Sequence, residues 1–213
     1  MTNLMFSITG IRIDTRAVVP TLIFRLRIQE TTGVRVHAML LRCQIRIDPQ
    51  RRSYRADEQE HLLELFAEPV RWRDTVRPFP WMSVALAVPG FNESLETDLP
   101  VTCTYDFEVA ATKYFQALED GEIPLLVFFS GTVFVKNEKG YQVEQVPWDR
   151  EAACRLRVVT WREMMDSYFP GCGWIRVSRD TLNALERYKA ERALLTWDSA
   201  IETLIEQAKE PAK

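Results

Sequence analysis

The chain has 213 residues, 46% hydrophobic and 27% charged, which suits a soluble globular protein with one sizeable core. No apolar run reaches the roughly 20 residues a bilayer needs, and no basic segment leads into an apolar stretch at the N-terminus, so a cytoplasmic protein without membrane insertion is expected. The net charge of −3 hides an asymmetry: residues 1–55 hold ten arginines against Asp14, Glu30 and Asp48, about +7, leaving about −10 for the remainder.

That basic segment either neutralises the acidic remainder across the folded surface or offers a patch to an acidic partner. Nucleic acid is not an expected partner, because the overall balance is acidic and no nucleic-acid-binding motif accompanies the arginines. Cys43, Cys103, Cys154 and Cys172 form no CxxC pair and read as small core residues, and with only His37 and His61 beside them no metal site is expected.

Leu4 to Ile13 alternates as a strand, with a bulge expected at Gly10, where the apolar parity shifts. Thr21 to Gln29 is a clean amphipathic strand, with Leu22, Phe24, Leu26 and Ile28 inward and Arg25 and Arg27 outward. Thr31-Thr32-Gly33 reads as a turn. Met39, Leu41, Cys43, Ile45 and Ile47 then line one face, with Arg42, Gln44 and Arg46 on the other. Residues 21–48 are therefore expected to form a β-hairpin with one wet, arginine-lined face.

Asp57 and Glu60 fit a capping box for a short helix near 57–67. Residues 69–92 are expected to be irregular, because Pro69, Pro78, Pro80 and Pro89-Gly90 punctuate Trp72, Phe79, Trp81 and Phe91; Met82 to Val88 is the one strand candidate there. Leu95 to Leu99 and Val101 to Val109 read as two strands separated by Pro100, the second presenting Asp106 and Glu108 on one face. Ala110 to Leu118 is a short helix with Asp120-Gly121 as its exit turn.

Ile123 to Val135 is the most apolar run in the sequence and the expected centre of the sheet system, with a bend at Ser130-Gly131. Asn137 to Gly140 is a hairpin turn, Tyr141 to Val146 returns, and Pro147-Trp148-Asp149 breaks that strand before Ala152 to Val158. The period then changes to 3.6. Trp161, Met164, Met165 and Tyr168 share one helical stripe. Thr181 to Arg192 is a second helix, and Thr196 caps a third with Trp197, Ala200, Ile201, Leu204 and Ile205 on one stripe.

No nucleophile elbow, Walker loop, dinucleotide fingerprint or zinc-protease motif is present, so no catalytic residue is assigned and no cofactor is expected. The stretches RVHAMLLRCQIRIDPQRR (35–52), DLPVTCTYDFEVAATKYFQALEDGEIPLL (98–126), QVPWD (145–149), WREMMDSYFP (161–170) and TWDSAIETL (196–204) carry a resemblance. Over nearly its whole length the chain resembles a bacterial domain-of-unknown-function family whose members are often encoded beside nickel–iron uptake hydrogenases. The resemblance implies an accessory, assembly or interaction role near such a metalloenzyme, with a hydrogenase subunit or maturation factor as partner, and transfers no catalytic residue.

The expected architecture is α+β: an antiparallel β-sandwich-like core over 1–158 and a helical C-terminal extension over 159–213 packed on the sheet. The expected function is a non-enzymatic interaction protein docking through Arg25, Arg27, Arg42 and Arg46, or through Trp197 and Ile201 of the last helix; assembly with further copies of the chain is open. The alternative is a small-molecule-binding domain or enzyme using Trp72 and Trp81 in the segment 69–92.

Overall fold

The structure, a computed structural model, describes residues 2–104, 109–137, 140–173 and 175–209. It has the expected α+β class: two antiparallel sheets pack face to face, and helices follow the strands. The first sheet has the order β1 (Leu4–Ile13), β2 (Thr21–Glu30), β5 (Ser94–Thr102). The second runs β4 (Phe79–Phe91), β3 (Val36–Ile47), β6 (Glu122–Asn137), with β7 (Gly140–Gln145) and β8 (Glu151–Arg157) both paired to the far side of β6.

Period-two burial explains this layering. Leu22, Phe24, Leu26 and Ile28 of β2 and Met39, Cys43, Ile45 and Ile47 of β3 have no solvent exposure, while Arg25 and Arg27 of β2 and Leu40, Arg42 and Gln44 of β3, which alternate with them, are exposed. Phe6 of β1 stacks on Phe129 of β6 with ring centroids 4.4 Å apart, joining the two sheets through the core. The bulge expected in β1 is present as a register shift between Ile8 and Gly10.

The expected hairpin over 21–48 is not formed. β2 and β3 lie in different sheets, and the chain crosses between them at residues 31–35. A second crossover, at Asn92 and Glu93, carries β4 into β5, and the Glu30 amide donates to the Glu93 carbonyl at 2.7 Å, tying the two crossovers together. The Glu30 carboxylate organises the first: it accepts from the amides of Asn3, Thr32 and Val34 at 2.9, 2.9 and 3.0 Å and from the Thr32 hydroxyl at 2.6 Å. These local bonds replace the turn that Thr31-Thr32-Gly33 resembles.

The segment 69–92 is more regular than expected. A helical turn, α3 (Trp72–Thr75), precedes β4, which extends through Pro80 and Pro89. Pro100 likewise lies inside a single strand, β5, rather than between two. Both β4 and β5 are edge strands, where an imino nitrogen costs no interior ladder bond. The expected strand over 101–109 ends at Thr102, and its Asp106 and Glu108 lie outside the described residues.

β6 is the centre of its sheet, as its composition requires. It pairs with β3 along nearly its whole length and, on the other side, with β8 and then β7. The change of partner falls at Ser130-Gly131, where the Phe129 amide donates to the Arg150 carbonyl and the Gly131 carbonyl accepts from the Val146 amide, both at 2.9 Å. Residues 147–149 leave the sheet there.

Helices α1 (Ala56–His61), α2 (Leu63–Phe66), α4 (Ala110–Ala117) and α5 (Val158–Tyr168) cover the apolar edge of these sheets with Leu62, Phe66, Tyr114, Phe115, Trp161, Met164 and Met165. Glu58, not Glu60, completes the box at the start of α1, accepting from the Arg55 amide at 3.1 Å. The chain divides into compact units at 174/175 rather than at the expected 158/159, with α5 in the first. The second unit is a helical pair, α6 (Arg179–Glu191) and α7 (Trp197–Lys209), capped by Ser178 and Thr196.

Candidate functional site

Crossing between sheets separates the arginines that the sequence groups together. Arg25 and Arg27 stand on the outer face of the first sheet, opposite Asp98 and Glu96 of β5 in register. Asp98 takes Arg12 at 2.7 Å and Arg25 at 3.7 Å, while Arg27 forms no ion pair among the described residues. Arg42 and Arg46 stand on the outer face of the second sheet, and among the described residues neither forms an ion pair. Arg46 lies over the Phe128 ring at 5.9 Å, and its Nε is buried with no acceptor.

Arg42, Gln44 and Arg46 of β3, Ser83 of β4 and Phe128 of β6 form the floor of a groove of about 440 Å³, with Trp148 at its rim. The groove's geometry follows from the strands. Arg42, Gln44 and Arg46 share one face because they alternate with buried Cys43 and Ile45, and Phe128 lies beside Gln44 in register. Trp148 projects from the excursion at Gly131 and is 92% exposed. Glu151 sits beyond Phe128 on β8, two strands from the arginines, so charge changes sign across the groove.

A wide open groove with two cations, an aromatic floor and an exposed indole suits a polypeptide segment better than an enclosed small molecule. Gln44, Ser83, Phe128 and Trp148 were not singled out in the sequence. An exposed tryptophan between a proline and an aspartate, flanked by two alternating strands, was the available signal.

The other candidates fall elsewhere. Trp81 is half-buried against the core, edge-on to Phe115 with centroids 4.9 Å apart. Trp72 packs edge-on against Tyr54 and Phe66 and donates from its indole nitrogen to the Ala67 carbonyl at 2.8 Å. It borders a depression of about 280 Å³ whose Gln50 and Tyr54 are already bonded to the Val76 and Pro49 carbonyls. The depression that Trp72 borders does not include Trp81. Trp197 and Ile201 lie on α7 in the second unit; Trp197 is partly exposed beneath Lys189, whose Nζ is 5.3 Å from the ring, and Ile201 is half-buried.

Cys43 and Cys103 are buried, Cys154 is half-buried and Cys172 is exposed. Burial pushes the thiols of Cys43, Cys103 and Cys154 up to about 12, far from the reactive thiolate range. His37 meets Tyr141 edge-on, and His61 ends α1 in solvent. Among the described residues no three His, Cys, Asp or Glu side chains gather as metal ligands would, and no helix is long and apolar enough to cross a membrane.

The fold and groove define an α+β sandwich protein with a polar, aromatic-rimmed surface on one sheet. The chain belongs to the family of unknown function DUF6084, whose model matches residues 1–213. None of the curated proteins compared with the chain matches it. Among solved structures, it is similar to the ApaA protein of Bordetella pertussis, at 14% identity over 73% of this chain and 93% of that one, with a TM-score of 0.26. It is also similar to a β-glucosidase of Kluyveromyces marxianus, at 11% identity over 72% and 15% of the two chains and a TM-score of 0.26. A third is β-glucosidase 3B of Thermotoga neapolitana, at 14% identity over 73% and 17%, with a TM-score of 0.23. Similarity at this level establishes neither a shared fold nor a shared activity.

Proposed function

We propose that this protein is a non-enzymatic interaction protein acting in the cytoplasm, and that the outer face of its second sheet is the docking surface. The observation that carries the reading is the contrast between the two outer faces. Arg12 and Arg25 are engaged by Asp98, whereas Arg42 and Arg46 have no carboxylate partner among the described residues and border the exposed Trp148. An exposed aromatic beside arginines is the composition of a binding hot spot.

The partner we propose is a hydrogenase-type metalloenzyme or a factor that assembles it, a role supported by the resemblance of the motifs at 35–52, 98–126 and 161–170. Tagged full-length chain and its Trp148→Ala variant, purified from the native host and compared by quantitative mass spectrometry, test both levels. The variant is expected to lose a partner that the parent retains, and that partner to be a hydrogenase subunit or maturation protein. An unchanged set of co-purifying proteins would remove this face from consideration.

A further inference from the structure

Arg42 and Arg46 are four residues apart on a strand that stays in register with β6 between them, Arg42 opposite Ser130 and Arg46 opposite Leu126. At about 3.3 Å of rise per residue, their Cα atoms stand roughly 13 Å apart. An extended peptide has the same rise, so two of its carboxylates four positions apart meet both cations at once. Between them lie Gln44 and the Phe128 ring, with Trp148 at the rim.

Resting on the docking reading above, we propose that the groove binds an extended acidic segment of a partner protein, with carboxylates at positions i and i+4 and an apolar side chain between them. Charge complementarity selects that occupant. Among the described residues Arg46 has no carboxylate partner, and it lines the groove, where a carboxylate can pair with its terminal guanidinium nitrogens. The guanidinium lies over the Phe128 ring, and the partial burial of Arg46 leaves an arriving anion less screened than on a fully exposed arginine. The middle side chain of the peptide meets Phe128 and Trp148. Glu151, on the far side of Phe128, repels a third acid and so limits how the segment can shift sideways.

The experiment is calorimetric titration of the full chain with the capped peptide Gly-Glu-Ala-Phe-Ala-Glu-Gly, against the same peptide with lysines for glutamates. Binding of the acidic peptide alone is expected. Arg42→Gln and Arg46→Gln are expected each to weaken it about tenfold, and 300 mM salt to weaken it further. Both side chains are on the outer face, so circular dichroism of the variants should match the parent. Absence of binding, equal binding of the lysine peptide, or indifference to both substitutions would overturn the proposal. If the peptide fails while Trp148→Ala still releases a cellular partner, the acidic segment is wrong and the docking face stands; if both fail, the face itself is wrong.

Discussion

Gly131 of β6 lies directly against Leu40 of β3: a Cβ on Gly131 would collide with the Leu40 carbonyl oxygen and come within 3.0 Å of Leu41 Cα. Its φ of +153° is also one that other residues rarely adopt. This is the point where β6 exchanges β8 for β7 and where the chain carrying Trp148 leaves the sheet. Gly131→Ala is therefore expected to destabilise the fold by at least about 2 kcal/mol, read as a lower midpoint in urea denaturation. A midpoint equal to the parent's would show that the two strands separate there at no cost.

Arg52 and Glu58 form an ion pair whose side chains are 8% and 1% exposed. Arg52 also donates to the carbonyls of Asp120 and Glu122, and Glu58 accepts from the amides of Arg55 and Glu119. The pair thus ties α1 to the turn that enters β6. Glu58→Leu, which leaves the guanidinium buried and uncompensated, is expected to cost about 3–5 kcal/mol. Adding Arg52→Met should recover part of that loss, and a double-mutant cycle measures it; strictly additive losses would mean the two charges are not coupled.

Glu30 gives the fold an acid-sensitive crossover. Burial alone would raise its carboxyl, but the bonds from Thr32, Asn3 and Val34 outweigh it and hold the group below its ordinary value of 4.5. A carboxylate depressed in the folded state stabilises the protein above its unfolded value, and that stability is lost as pH falls through the folded value. The stability gap between parent and Glu30→Gln is therefore expected to be constant near neutrality and to shrink below about pH 4.5. A gap that widens in acid would contradict the assignment.

The hydroxyls of Tyr54 and Tyr114 are 2.8 Å apart. Burial pushes Tyr114 up to about 12, and burial together with Tyr114 itself raises Tyr54. Both are neutral in the fold well above the ordinary tyrosine value near 10, so stability should fall as pH rises past about 10, where the unfolded chain ionises. In a spectrophotometric titration of the folded chain these two tyrosines should give a late phase, above the ordinary tyrosine range. Replacing both with phenylalanine should remove that late phase.

What the sequence reveals here is mostly what local period can carry. Alternation marked β1, β2 and β3 and even the bulge near Gly10, and a strand apolar on both faces marked β6 as central. Sheet membership was not legible. Thr31-Thr32-Gly33 has the composition of a hairpin turn, but the segment is a crossover, held by the Glu30 carboxylate's bonds to Asn3, Thr32 and Val34. That single misreading placed Arg25 and Arg27 beside Arg42 and Arg46, which the sandwich puts on opposite outer faces. Trp148 was hidden for a related reason, since its exposure depends on β7 and β8 sharing one edge of β6.

Those opposite faces make the most direct test. Arg42→Glu/Arg46→Glu and Arg25→Glu/Arg27→Glu change net charge equally but alter different sheets, so their capture of the partner can be compared side by side with the parent's. The first pair is expected to abolish capture and the second to leave it near the parent's level. Loss with the second pair and retention with the first would contradict the account.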